Sequence, residues 1–252
     1  MNEFKIVIPA RYASSRFPAK PLVDLCGKPL LQHVYECACK ASAETVVVAT
    51  DDERIASVAK AFGATVCMTS PDHVSGTDRI VEVAQKMQWK DEDIVVNLQG
   101  DEPLTPAKII KQVAANLHKN PQAVCATLSA ALTSHDEVTN PNVVKVVSDI
   151  NGFALYFSRA GIPYDRDNTI AADELALYQR HIGIYAYRVS FLKEYSQLPV
   201  CSLEKHESLE QLRILWNGKK IHVAEAAELP GHGVDTPEDL AQVKKIIETR
   251  SL

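Results

Sequence analysis

The sequence predicts an α/β fold: a mixed, mostly parallel sheet with helices on both faces and a hairpin-rich insertion. Three features predict it. Short β-branched runs alternate with segments of helical periodicity through the first half, the pattern of strands joined by crossover helices. Those runs are apolar at nearly every position, as strands covered on both faces are. In the second half Asn151-Gly152 lies between VVKVVSD and FALYFSR. That dipeptide is the strongest short hairpin signal, because a two-residue primed turn needs positive φ at both positions.

The elements follow in order. Residues 4–10 (FKIVIPA) read as the first strand and 45–50 (TVVVAT) as the second, with a helix over 29–40 between them. A helix over 52–62 places Ile55, Val58, Ala59 and Phe62 on one face, and Gly63 stops it. Residues 65–70 form a strand, 77–88 a helix, and 93–99 (DIVVNLQ) a central strand. Thr105 and Pro106 supply an N-cap and a first helical residue, ahead of Ile110, Val113, Ala114 and Leu117 on one face. Residues 123–130, 181–188 and 221–226 are further strands. Leu209, Leu212 and Trp216 mark a helix within 203–216, and Thr236-Pro237 opens a terminal helix by the same cap logic. No element is assigned over 165–177, and no internal repeat or flexible linker divides the chain.

Composition narrows the function. Lys and Arg number 27 against 32 Asp and Glu, a net charge of −5, so there is no chain-wide basic footprint for nucleic acid. Any phosphate must be met by a local cluster. The opening MNEFKIVIPARYASS lacks a signal peptide's longer apolar stretch, and no run approaches the ~20 apolar residues that span a bilayer. A soluble, cytoplasmic protein without membrane insertion is expected. Six cysteines without a C-x-x-C pair suit reduced, buried small hydrophobes. G-x-G-x-x-G and Walker loops, H-E-x-x-H and G-x-S-x-G are all absent. His33, His73, His118, His135, His206, His222 and His232 show no ligand spacing.

Three features carry chemistry. The loop PARYASSRFPAKPL places Arg11, Arg16 and Lys20 at the carboxyl end of the first strand, where open α/β sheets bind ligands. Three cations among small residues, stiffened by Pro18 and Pro21, can wrap a polyphosphate with side chains and backbone N–H groups. A solvated surface loop is the plainer alternative. In NLQGDEP an apolar strand ends at Gly100, which permits close backbone approach, and Asp101, placed to hold magnesium against phosphate oxygens. An Asx-turn would also explain Asp101. Asp235 precedes the terminal helix, where a helix-start anion gains ~0.3–1 kcal/mol. Spacing alone does not bring it near Asp101.

The collinear set IPARYASSRFPAKPL, ATDD, MTSPDHVSGTDR, NLQGDEP, ALYFSRAGIPYDRD, RHIGIYAYR, SLEQLRIL and GVDTPEDL, spread over residues 4–245, resembles the 3-deoxy-manno-octulosonate (Kdo) cytidylyltransferases, or CMP-Kdo synthetases. The resemblance implies a Rossmann-like nucleotidyltransferase domain over 1–252. Residues 1–130 would mainly bind CTP, 131–225 mainly bind the sugar and dimerise, and 226–252 return to the core with a second metal carboxylate. It implies a Mg2+-dependent homodimer that makes CMP-Kdo and pyrophosphate from CTP and Kdo for lipopolysaccharide synthesis.

At matching positions it implies triphosphate contacts at Arg11 and Lys20, with Ser14, Ser15 and Arg16 in the same loop. Ser75, Gly76, Thr77 and Arg79 correspond to the cytidine pocket, and Asp101 and Asp235 to the metal pair. Gln99, Arg159, Arg166, His181, Tyr185, Glu210 and Gln211 correspond to positions around the acidic sugar. Arg159 and Arg166 would pair with its carboxylate; hairpin surface charge is the alternative for both, and a satisfied strand histidine for His181. Ala19 stands where the family usually has glycine, and alanine enters positive φ only at a cost. Within enzymes the competing expectation is a cytidylyltransferase for amino-substituted Kdo or another acidic sugar such as a sialic acid. Outside them it is a non-catalytic nucleotide-sugar-binding protein, and an oxidoreductase would lack its glycine fingerprint.

Overall fold

The computed structural model describes residues 3–13, 17–73, 76–166 and 175–250. In chain order the elements are β1 (Lys5–Ala10), β2 (Asp24–Leu25), β3 (Lys28–Pro29), α1 (Leu30–Lys40), β4 (Thr45–Thr50), α2 (Glu53–Ala61), β5 (Thr65–Met68), α3 (Gly76–Lys86) and β6 (Ile94–Asn97). There follow α4 (Ala107–Lys119), β7 (Ala123–Ala131), α5 (His135–Thr139), β8 (Lys145–Ser148), β9 (Ala154–Ser158), β10 (Gln179–Arg188), α6 (Val189–Tyr195), α7 (Ser202–Glu207), α8 (Gln211–Trp216), β11 (Lys220–Glu225) and α9 (Pro237–Arg250).

The main sheet runs β11-β7-β10-β6-β1-β4-β5, and β8 and β9 extend it from β10. Pairing is parallel from β6 to β5 and between β7 and β11, while β10 runs antiparallel to β6, β7 and β8. Alternation along β1 sends Ile6 and Ile8 toward α1, α2 and α4, and Val7 toward α3, α6 and α8, so both faces are covered. After β4 and β5 have built outward from one side of β1, β6 returns to the other side. That reversal is a topological switch point, and the carboxyl ends of β1 and β6 open a crevice there. Among the described residues no helix is long and apolar enough to cross a membrane.

Local details depart from the sequence reading where side chains found other partners. Pro106, not Thr105, occupies the N-cap of α4, and the Thr105 hydroxyl donates to Glu102 instead. At α9 the cap forms as expected: Thr236 Oγ1 accepts from Asp239 N, and the Asp239 carboxylate accepts from Thr236 N. The β8–β9 hairpin is present, but only Gly152 of its dipeptide has positive φ, because Asp149 Oδ1 gathers the N–H groups of Asn151 and Phe153 into a longer turn. The helix expected over 203–216 is two helices broken at Ser208, whose φ is 51°. All six cysteines are free, yet only Cys67, Cys125 and Cys201 are buried; Cys39 is exposed.

Candidate active site

The loop after β1 turns back through Ala19, which adopts the left-handed region at φ 57° and donates its N–H to Tyr12 O, 3.0 Å away. This turn leads into Lys20, whose side chain reaches the loop after β6. Lys20 Nζ donates to Asp101 Oδ2 at 2.6 Å and to Asp235 Oδ1 at 3.1 Å. The two carboxylates, remote in sequence, therefore meet on one ammonium group.

Backbone packing brings them there. A Cβ on Gly100 would lie 2.7 Å from Pro9 O, so only glycine lets the β6 loop close on the end of β1. Asp101 O then accepts from Val234 N at 2.8 Å, and the buried Val234 fixes the chain one residue before Asp235. Gly231 packs on Leu104, where a Cβ would come within 2.5 Å. Glu102 joins this acidic corner, and burial, then the charges of Asp101 and Asp235, raise its carboxyl above the ordinary value.

Two depressions form one cleft. The first, ≈ 360 Å³, is lined by residues that include Arg11, Lys20, Gly76, Gln99, Asp101 and Asp235. The second, ≈ 330 Å³, shares Gly76 and Gln99 with it and adds Thr77, Asn97, Tyr185, Tyr187, Tyr195 and the run 208–211. Asn97 and Tyr185 are cross-strand neighbours, and both are buried. Among the described residues neither Asn97 Oδ1 nor the Tyr185 hydroxyl has a hydrogen-bond partner. Leaving such groups unmet costs about 1–3 kcal/mol each, so the wall is prepared for a ligand that supplies donors and acceptors. Thr77 Oγ1 donates to Glu210 Oε2 at 3.4 Å, and burial, then the charge of Asp78, raises the Glu210 carboxyl.

Of the expected site residues the cleft thus collects Arg11, Lys20, Gly76, Thr77, Gln99, Asp101, Tyr185, Glu210, Gln211 and Asp235. Ser14, Ser15, Arg16 and Ser75 lie outside the described residues. Four others do not line it. Arg79 is fully buried, donating to Thr69 Oγ1 and lying 3.3 Å from Asp51 Oδ2. Arg159 is committed to main-chain carbonyls, at 2.8 Å from Pro141 O and 2.7 Å from Glu207 O. Arg166 is exposed. His181 stands behind Tyr185, ring centroids 5.3 Å apart, with Nε2 3.0 Å from Thr127 Oγ1. Burial lowers its pKa to about 3, so it is a neutral packed histidine in this arrangement.

The reading from sequence missed Asn97, Tyr187, Tyr195, Ser208 and Glu102. Glu102 had a signal, standing beside Asp101 at a strand end.

The oxygen-only pair Asp101 and Asp235 suits a hard cation, and the Lys20 ammonium between them shows that the pair accepts positive charge at a shared point. No group of three or more His, Cys, Asp or Glu forms a cage among the described residues. A pair that leaves most positions to water and phosphate is how magnesium is usually held.

Residues 5–221 match the family model described as Cytidylyltransferase. The chain is 57% identical over 250 residues to a 3-deoxy-manno-octulosonate cytidylyltransferase of Vibrio vulnificus (strain YJ016), covering 98% of this chain and 99% of that one. It is 56% identical over 252 residues to 3-deoxy-manno-octulosonate cytidylyltransferase 2 of Actinobacillus pleuropneumoniae serotype 5b, covering 98% and 100%. A solved CMP:2-keto-3-deoxy-manno-octonic acid synthetase complexed with CTP superposes with TM-score 0.90 at 46% identity, over 99% of this chain and 100% of that one.

Proposed function

This chain belongs to the cytidylyltransferase family, and within it to the 3-deoxy-manno-octulosonate cytidylyltransferases; from that premise we propose how its cleft transfers CMP from CTP to Kdo, giving CMP-Kdo and pyrophosphate. The observation that carries the reading is the convergence of Lys20, Asp101 and Asp235 at the switch point, beside a second depression with unmet polar groups.

The anomeric C2 hydroxyl oxygen of Kdo forms a bond to the α-phosphorus, and the bond from that phosphorus to the bridging oxygen breaks. Pyrophosphate leaves, and the hydroxyl proton passes to solvent. Arg11 and Lys20 hold the β- and γ-phosphates and take up the charge that moves onto the leaving group. Asp101 and Asp235 would hold Mg2+, which when bound supplies charge neutralisation at phosphate oxygens and eases ionisation of an adjacent hydroxyl. Asn97, Gln99, Tyr185 and Gln211 orient the sugar acid by hydrogen bonds, so the reaction gains chiefly from positioning. The nucleotide half draws on 1–130, the sugar half on 131–225 together with Asn97 and Gln99, and 226–252 returns Asp235.

Three finer statements belong to the same reading: Mg2+ dependence, a cytoplasmic location feeding lipopolysaccharide synthesis, and a homodimer. Exposed Ile150 and Leu155 on the β8–β9 hairpin support the last as an apolar face at the sheet's edge. Pyrophosphate release from CTP with Kdo and Mg2+ tests the reaction and its metal requirement. Release that requires all three is expected; release unchanged by exhaustive chelation removes the metal, and release with other sugars but not Kdo removes the substrate.

A further inference from the structure

The run 208–211 forms one wall of the sugar half of the cleft, yet it belongs to no helix at its start, and Ser208 sits at φ 51°, a left-handed state that disfavours a residue with a Cβ. Something must hold it. Immediately before it, the Glu207 carboxylate accepts from Ser158 Oγ at 2.7 Å and from Arg159 N at 2.9 Å. Arg159 answers through its side chain, donating Nε to Glu207 O at 2.7 Å and Nη2 to Ser208 O at 3.5 Å. Lys145 lies beneath, fully buried, with Nζ 2.9, 2.6 and 2.7 Å from the carbonyls of Asn140, Val143 and Arg159.

We propose that Glu207, locked to Ser158 and Arg159 over the buried Lys145, is a positioning residue that sets the 208–211 wall and so controls how the cleft takes the acidic sugar. The inference deepens the functional reading above and rests on it. Its physical logic is charge and geometry. Two cations, Lys145 and Arg159, are turned toward carbonyl groups at this junction, and Glu207 is the carboxylate bonded into it. Burial and the nearby Arg159 guanidinium pull the Lys145 pKa down while the Glu207 charge pulls it up, so loss of that carboxylate leaves the ammonium less balanced. The latch joins the β8–β9 hairpin to the wall and touches none of Arg11, Lys20, Asp101 or Asp235. Its effect therefore falls first on the sugar, and reaches the nucleotide side only through the weak Thr77–Glu210 bond of 3.4 Å.

The test is steady-state kinetics of Glu207→Ala, Glu207→Gln and Ser158→Ala, with CTP and Kdo varied separately and folding followed by circular dichroism. Because the wall would hold the sugar alike in the ground and transition states, its displacement should appear as weaker binding, and Glu207→Ala should raise KM for Kdo about tenfold or more. KM for CTP should change far less than KM for Kdo, since an interaction lost with one substrate raises the KM of that substrate. Glu207→Gln, which keeps one of the two acceptor oxygens, should recover part of the loss, and Ser158→Ala should show a smaller change of the same kind. If KM for Kdo is unchanged in Glu207→Ala, the proposal is overturned. A fall in kcat alone, with both KM values unchanged, marks a merely structural residue and overturns it equally. Should Glu207→Ala not fold, the other two variants decide by the same criterion. Failure of the parent chain to use Kdo would be the failure of the functional reading instead, and is read in the unmutated enzyme.

Discussion

Gly100→Ala places a single methyl group between the ends of β1 and β6. An ideal Cβ there lies 2.7 Å from Pro9 O, whereas carbon to carbonyl-oxygen contacts settle at ~3.3–3.6 Å, so the loops must part by about 0.6 Å or more. The clashing atom is a backbone oxygen, which cannot swing aside as the end of a flexible side chain could. Gly100 does not use positive φ, so alanine brings no conformational penalty; its lower unfolded-state entropy would by itself stabilise by ~0.4–1 kcal/mol. Overpacking works the other way at about 1–3 kcal/mol, which decides the sign. For a chain of this size that is a fall in Tm of roughly 2–4 °C per kcal/mol. Asp101 is the next residue and moves with the loop away from Lys20, so turnover should fall roughly tenfold to a hundredfold. Thermal unfolding and pyrophosphate release measure the two effects. A variant with higher Tm and undiminished turnover would refute the close approach as the device that places Asp101.

Other outcomes follow from the same geometry. Ala19→Gly should raise stability by roughly 0.5–1 kcal/mol, the left-handed cost relieved less glycine's entropy, and a lowered Tm would contradict the φ of 57°. Although burial pushes the Glu82 carboxyl up, bonds from Lys86, Ser70 N and His73 hold it down to about 2 against an ordinary 4.5. Its contribution is therefore complete above about pH 4.5 and lost as pH falls toward 2, and urea titrations should show Glu82→Gln flattening that acid limb. Burial likewise keeps His181 neutral, lowered from 6.5 to about 3, so its stabilising share is whole above pH 6.5 and declines as pH falls. Its ring resonances should not titrate near 6.5 in the folded protein; a midpoint there would contradict the buried placement.

What was legible in the sequence is what short-range physics controls. Residues 45–50 form β4 with the expected bounds, because an apolar β-branched run has no competing local structure. The terminal cap was readable since Thr236 and Asp239 satisfy each other within four residues. Thr105 offered the same signal and lost its hydroxyl to Glu102, a neighbour on the other side. Longer-range bonds were illegible for the same reason. Arg159 reads as a free cation, but its partners are carbonyls at Pro141, Glu207 and Ser208, groups that every residue carries and no side-chain pattern announces. Local patterning offered the carboxylates only as two separate strand-end and helix-start acids, and their pairing was implied by the family resemblance alone. Their union depends on the Val234 N to Asp101 O bond, which has no sequence signature.

The most direct test of that union is a double-mutant cycle in turnover with Asp101→Asn, Asp235→Asn and the combined variant, each shown to be folded. If the carboxylates act as one unit, each single change lowers kcat by about 10²–10³ and the double lies within roughly tenfold of the weaker single. Near-parental turnover in either single variant, or losses that multiply fully in the double, would show two independent groups and contradict the account.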